Sequence, residues 1–330
     1  MQTIENVIAQ TSVPRVGLER HLNCDADTQA RSLRGWNQCY DQLSAGRFVG
    51  MTLDVHLDGA QLFREHTSHA LRQKGCAPEG AYLFAINVEP SVQSRFLGSL
   101  VTQDSLLLAA DGTDFEFCSP AHYVGCGVTI KEEAVKSYAA VIGADLPDTH
   151  ATGHDVIHAG AAVARLRSVL LSAFNGLERD QRVLENENAR RSLYEDLLGL
   201  VFDALQGAES ERRDQPTSHR HARIVGLAEE YVLSRPFESV SVADLCRHVG
   251  ASRRLLQYAF QNVMDMPPNR YLRAIRLCRV RRELKAVGGS VNVQDAAARW
   301  GFWHLGHFAL YYKQMFGERP SDTVRRATER

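Results

Sequence analysis

Between residues 46 and 130, apolar and polar positions alternate with a period of two. In GRFVGMTLDVHLDGA, Val49, Met51, Leu53, Val55 and Leu57 share one face; Gly50, Thr52, Asp54 and His56 share the other. Successive side chains leave a strand on opposite sides, so this is a half-buried strand, ended by the turn Asp58-Gly59. AYLFAINV, SLLLAA, FEFCS and HYVGCGVTI follow, with a second turn at Asp111-Gly112. Many short strands with turn signals predict a sandwich or barrel, a shape that holds a small ligand in its mouth. The alternation puts His56 on the polar face, away from the barrel interior.

From 154 to 210 the period becomes helical: Val163, Leu166, Val169, Leu170, Phe174 and Leu177, then Leu193, Leu197, Leu200 and Val201. Two helices with apolar stripes either pack on their own barrel or pair with a second copy, and we read them as a dimerisation element. The polar stretch ESERRDQPTS reads as a linker. The division is therefore a β-rich domain at 1–150, a helical dimerisation element at 151–208, a linker at 209–218 and an all-α domain at 219–330. The fold class is α+β.

The last domain repeats itself. Val240, Ser241, Val242, Asp244 and Gly250 match Val291, Asn292, Val293, Asp295 and Gly301. With one residue inserted after the glycine, Leu256, Phe260, Met264, Pro268 and Arg273 match Phe308, Tyr312, Phe316, Pro320 and Arg325. Each copy reads as an N-capped short helix holding Leu245 in the first unit, a glycine C-cap, and a longer helix with apolar residues at i, i+4 and i+7. Short helix, glycine turn and longer helix make a helix-turn-helix. The aromatics of the second copy, Phe302, Phe308, Tyr312 and Phe316, are assigned to its core; Trp303 reads either as the edge of that core, which we prefer, or as a ring lying on the sugar-phosphate backbone.

Charge sharpens this picture. Residues 216–330 hold 19 Lys and Arg against 10 Asp and Glu, while the whole chain has a net charge of −1. An acidic body with a basic C-terminal third points to a polyanionic partner. Seven cysteines with no CxxC spacing read as reduced thiols of a cytoplasmic protein. There is no apolar run long enough to cross a membrane, and MQTIENVIAQ does not read as a signal peptide.

Residues 223–326 resemble the DNA-binding domain of the AraC/XylS family of bacterial transcription regulators, most closely in GF…F…YKQMFGERP at 301–320. The resemblance implies two recognition helices in successive major grooves of double-stranded promoter DNA, joined by a helix from Pro268 to Lys285. It also implies a jelly-roll or cupin-like β sensor for a small-molecule effector, an activator, a homodimer, and contact with RNA polymerase. By the family pattern Arg253, Arg254, Gln257 and Tyr258 face the bases. Arginine suits guanine, and glutamine suits adenine. In the second helix the matching positions are His304, Leu305, Gly306, His307, Ala309 and Leu310. Only His304 and His307 offer hydrogen bonds there, and an arginine is common in the family where Leu310 stands. The first unit is therefore expected to do most of the base reading. Ser252, Arg273, Arg276, Lys313, Arg325 and Arg326 are assigned to phosphates, and Leu245, Gly250, Leu256, Phe260, Gly301 and Pro320 to the helix-turn-helix core.

Other chemistries are weaker. A DNA-repair methyltransferase fused to the same helix-turn-helix pair needs a zinc-bound cysteine, and Cys24, Cys39 and Cys76 are too scattered to suggest one. A ligand-independent DNA binder leaves two thirds of the chain without a task. His56, Glu65, His66, His69 and His122 lack the spacing of a metal-binding cupin, so neither a metal, a cofactor nor an enzymatic activity is expected. Cys118 and Cys126 read as buried small hydrophobes or as an oxidisable pair on adjacent strands. No motif marks the effector pocket.

Overall fold

A computed structural model describes residues 16–89, 92–146, 154–207, 216–238, 240–286 and 292–329. Residues 209–215 of the expected linker, and Val291 of the second repeat copy, lie outside the described residues. The strands are β1 (Gly17–Asn23), β2 (Asn37–Gln42), β3 (Gly50–Leu57), β4 (Ala60–Thr67), β5 (Leu71–Cys76), β6 (Ala81–Asn87), β7 (Ser94–Phe96), β8 (Ser99–Val101), β9 (Ser105–Ala109), β10 (Asp114–Ser119), β11 (Tyr123–Lys131) and β12 (His154–His158). The helices are α1 (Ala26–Ala30), α2 (Glu132–Ile142), α3 (Gly160–Arg179), α4 (Glu187–Gln206), α5 (Pro216–Leu233), α6 (Val242–Val249), α7 (Arg253–Met264), α8 (Pro268–Ala286), α9 (Val293–Arg299), α10 (Leu305–Phe316) and α11 (Pro320–Thr328).

The strands form an antiparallel sandwich. One sheet has the order β1-β3-β4-β11-β6-β9-β12 and the other β2-β5-β10-β7-β8. Strands thus begin before residue 46, and β12 pairs with β9 inside the stretch whose spacing predicts helix. Five residues are too few to establish a period of their own against the helical pattern that follows.

The two faces of the larger sheet are the reverse of the sequence expectation. Leu53, Val55 and Leu57 point outward, into a core shared with Val163, Leu166, Leu170 and Phe174 of α3 and Leu197, Val201 and Phe202 of α4. Thr52, Asp54 and His56 are buried on the opposite face, towards the sandwich interior. There, Glu65 of β4 accepts a hydrogen bond from Gln73 Nε2 of β5 in the other sheet at 2.8 Å. His56 therefore faces inward, with Nε2 3.1 Å from Asp54 Oδ2. The alternation was legible, but a sheet with helices on its back has two buried faces, and the apolar one need not be the cavity. The stripes of α3 and α4 are spent on this sheet. Cys118 and Cys126 are also separated, on β10 and β11 of different sheets.

The C-terminal domain follows its sequence punctuation. Ser241 Oγ accepts from Asp244 N at 3.2 Å and Ser241 N donates back to Asp244 Oδ2 at 2.9 Å, a reciprocal cap on α6. Gly250 ends α6 at φ +65°. Asn292 caps α9 through Gln294 N at 2.9 Å, and Gly301 turns the chain at φ +80°. Leu245, Leu256, Phe260, Phe308, Tyr312 and Phe316 are buried in one core with the joining helix α8.

Charges exchanged in both directions hold the domains together. Arg72 of β5 is 1% exposed and pairs with Glu229 of α5 and with Glu116, whose Oε2 lies 2.6 Å from Nη2. In the other direction, Arg282 of α8 reaches Asp27 at 2.8 Å and Asp41 at 2.7 Å, and Lys285 reaches Asp25 and Asp27 at 2.8 Å. Burial would raise the Asp25 carboxyl, but Lys285 beside it holds it below the usual range. Removing one member of a buried pair strands the other charge in a low dielectric, at about 3–5 kcal/mol. Arg72→Ala is therefore expected to lower the urea-unfolding free energy by about that amount, with much of the loss restored when Glu229→Leu is added.

Candidate nucleic-acid interface

Helices α7 and α10, the longer helices of the two helix-turn-helix units, are anchored at one end. Gln42 Nε2 and Gly46 N, from the sandwich, donate to Met315 O in the last turn of α10 at 2.8 and 3.1 Å. Met264, the last residue of α7, meets Cys118 Sγ at 3.5 Å. The N-terminal turns of both helices are exposed.

On α7, Leu256, Ala259, Phe260 and Val263 are buried, while Arg253, Arg254, Gln257 and Tyr258 are exposed. Arg254 lies along the helix, its Nη2 donating to Tyr258 OH at 3.3 Å and its guanidinium 5.4 Å from that ring. Ser252 caps the helix by accepting from Leu255 N at 3.2 Å, which leaves its O–H proton to donate outward. On α10, His304 and His307 are exposed with ring centroids 6.0 Å apart. Phe302 is half-buried against Phe308, but Trp303 is 56% exposed and stands outside the core to which the sequence assigned it.

The cations assigned to phosphates divide into two groups. Lys313 is exposed, and Arg273 is exposed over the Tyr311 ring at 4.3 Å. Arg276 is half-buried, and burial lowers its pKa; a Cβ added at Gly301 would lie 3.5 Å from its Nη1. Arg325 pairs with Asp322 at 3.0 Å and Arg326 with Glu318. On α8, Arg281 is buried on Glu318 at 3.0 Å, and Arg282 faces the sandwich. The basic excess of this domain is thus partly consumed inside the molecule.

Comparison with known proteins covers this region. A family model described as a helix-turn-helix domain matches residues 245–326. The probable thc operon regulatory protein of Rhodococcus erythropolis is 43% identical over 103 residues, 31% of each chain. The XylDLEGF operon transcriptional activator 3 of Pseudomonas putida is 36% identical over 143 residues, 43% of each chain. A solved structure, a probable AraC family transcriptional regulator from Rhodopseudomonas palustris, is 34% identical and covers 32% of this chain and 96% of its own, with a TM-score of 0.29. The C-terminal domain is of the AraC/XylS type. The match spans less than half the length of either operon regulator.

The AraC-type domain sits against a sandwich whose interior holds a second candidate site. A cavity of about 50 Å³ is lined by Phe63, Leu107, Phe115 and Phe117, with Gln38, Glu65 and Gln73 among its polar groups. Gln29 and Gln73 each donate an amide to Glu65, at 3.0 and 2.8 Å. Gln38 Nε2 is buried without a partner. Of these residues only Glu65 entered the sequence reading, as a metal-ligand candidate set aside on its spacing, although Gln61, Phe63 and Glu65 have the same period-two parity as Thr52, Asp54 and His56 on the neighbouring strand. A larger crevice of about 760 Å³ between the domains shares Trp36, Gln38 and Tyr40 with this cavity. Among the described residues no three His, Cys, Asp or Glu side chains group as metal ligands. Burial pushes the Cys126 thiol up to about 12 and raises Cys118 as well, so both stay protonated at neutral pH.

Burial also raises the Glu65 carboxyl above its ordinary value, against the pull of Gln29 and Gln73. The folded state then holds this proton more tightly than the unfolded chain. The stabilisation is full below the unfolded pKa and is lost as pH rises through the folded one. Unfolding free energies of the parent and Glu65→Gln, measured from about pH 4 to about pH 8, are expected to shift against the parent as pH rises. A difference independent of pH would contradict the assignment.

Proposed function

We propose that this chain is a sequence-specific DNA-binding transcription regulator: an activator that responds to a small molecule, acts as a dimer and recruits RNA polymerase in the cytoplasm. The observation that carries the reading is the pair of helices α7 and α10. Each buries one face and leaves its N-terminal turn exposed, within a domain of AraC/XylS type. The operon regulators and activators it resembles favour this reading over a DNA-repair methyltransferase or a ligand-independent binder. No described helix is long and apolar enough to cross a membrane.

In this reading Arg254 and Gln257 read bases, with Arg253, Tyr258, His304 and His307 beside them. Ser252, Arg273 and Lys313 hold phosphates, helped at the margins by Arg276, Arg325 and Arg326. The effector enters through the interdomain crevice and meets the Gln38 amide and the Glu65 carboxyl. The segment from Asp25 to Gln42 carries both the wall residues Trp36, Gln38 and Tyr40 and the carboxylates that grip α8, so occupancy of the cavity bears on the grip. A dimer through α3 and α4 uses their outward faces, because their apolar faces are spent within the chain.

The test is selection of duplexes from genomic fragments at two salt concentrations. Arg254→Ala and Gln257→Ala are each expected to weaken the selected site by about 1–3 kcal/mol while leaving non-specific, salt-sensitive binding in place. Absence of any selected motif, or equal binding by the variants, would overturn the reading or its contact assignment respectively.

A further inference from the structure

The two recognition helices differ most at the positions that face away from their cores. With Leu256 matched to Phe308, Arg254 corresponds to Gly306 and Tyr258 to Leu310. On α10 the buried residues are Phe308, Tyr312, Met315 and Phe316, and the helical period sets Gly306, Leu310 and Lys313 on the opposite side. Gly306 has no conformational reason to be glycine, since its φ is not positive. It has no packing reason either, because a Cβ there would meet nothing within 4 Å. Glycine in a helix is nonetheless less favourable than alanine. What its missing side chain leaves open is the approach of something outside the chain.

One turn on, Leu310 is 52% exposed, and Leu305 is 39% exposed. With Ala309 they line an open concavity of about 570 Å³ between α9, α10 and the start of α11. Lys313 and Arg319 line it too, and no carboxylate does. An apolar floor with a cationic rim fits a polyanion that carries methyl groups. The major groove presents such a surface wherever thymine places its C5-methyl between two phosphate backbones.

We propose that α10 reads thymine by methyl contact. Gly306 lets the helix backbone seat close to the groove floor. Leu310, flanked by Leu305 and Ala309, packs on C5-methyl groups, and Lys313 and Arg319 hold the adjacent phosphates. The second unit then carries sequence information of its own, beyond any hydrogen bonds from His304 and His307. This rests on the DNA-binding reading above.

The experiment uses the full chain and the duplex it selects. Each thymine in the half of the site bound by the second unit is replaced by deoxyuridine, which removes the methyl and keeps every hydrogen-bonding group. The parent is expected to lose about fourfold in affinity per contacted methyl, the equivalent of about 0.8 kcal/mol for one buried carbon group. Leu310→Ala should weaken binding to the thymine duplex and show no further loss on deoxyuridine. Gly306→Ala should weaken binding while leaving the unfolding midpoint unchanged or raised, which separates close approach from misfolding. Equal affinity of the parent for both duplexes overturns the proposal, as does full deoxyuridine sensitivity in Leu310→Ala. If the chain selects no motif at all, the regulator reading fails first.

Discussion

A guanidinium removed from water between two domains has to be neutralised from both. Arg72 does this with Glu116 from its own sheet and Glu229 from α5. The lock fixes α5 against β5, and α5 packs on α7. The complementary pairs of Arg282 and Lys285 fix α8, which joins the two helix-turn-helix units. Both recognition helices are then held at their C-terminal ends and project from a frame set by the sandwich. The same pairs decide which cations of α8 remain for a polyanion, so a count of basic residues overstates the charge on offer.

Much of the C-terminal domain was legible in the sequence because its signals are local. A short polar cap (Ser241 in one copy, Asn292 in the other), a left-handed glycine and an apolar period of 3.6 act within a few residues, and they recur in both copies. The joining helix falls within a residue of expectation: α8 spans Pro268–Ala286 where Pro268 to Lys285 was expected. The sandwich was less legible because inside and outside are set by distant partners. The alternation in β3 separates two faces, but only the packing of α3 and α4 shows which of them is the back. Trp303 failed for a related reason. Ring density along α10 suggests a core, whereas the turn before the helix aims this one ring outward.

The sandwich interior joins these themes. A sheet covered by helices on its apolar side is free to keep polar groups within, provided each is satisfied, and Gln29, Gln61, Glu65 and Gln73 satisfy one another and their neighbours. Gln38 Nε2 is an exception, and it lies where the small cavity and the interdomain crevice share a wall. An interior of this kind discriminates ligands by hydrogen-bond matching more sharply than an apolar pocket would, because a mismatch leaves buried groups unpaired.

The crossed ion pairs also make the two domains depend on each other's charges. A substitution at Glu229 takes from Arg72 its carboxylate across the boundary, and one at Asp27 or Asp41 takes from Arg282 one of its two. A substitution on either side of the boundary therefore has a cost on the other. Transplanting the C-terminal third onto an unrelated sensor carries Glu229, Arg282 and Lys285 away from the residues that answer them. The chain looks modular when read along its sequence, but at this boundary its charges are matched across the two halves.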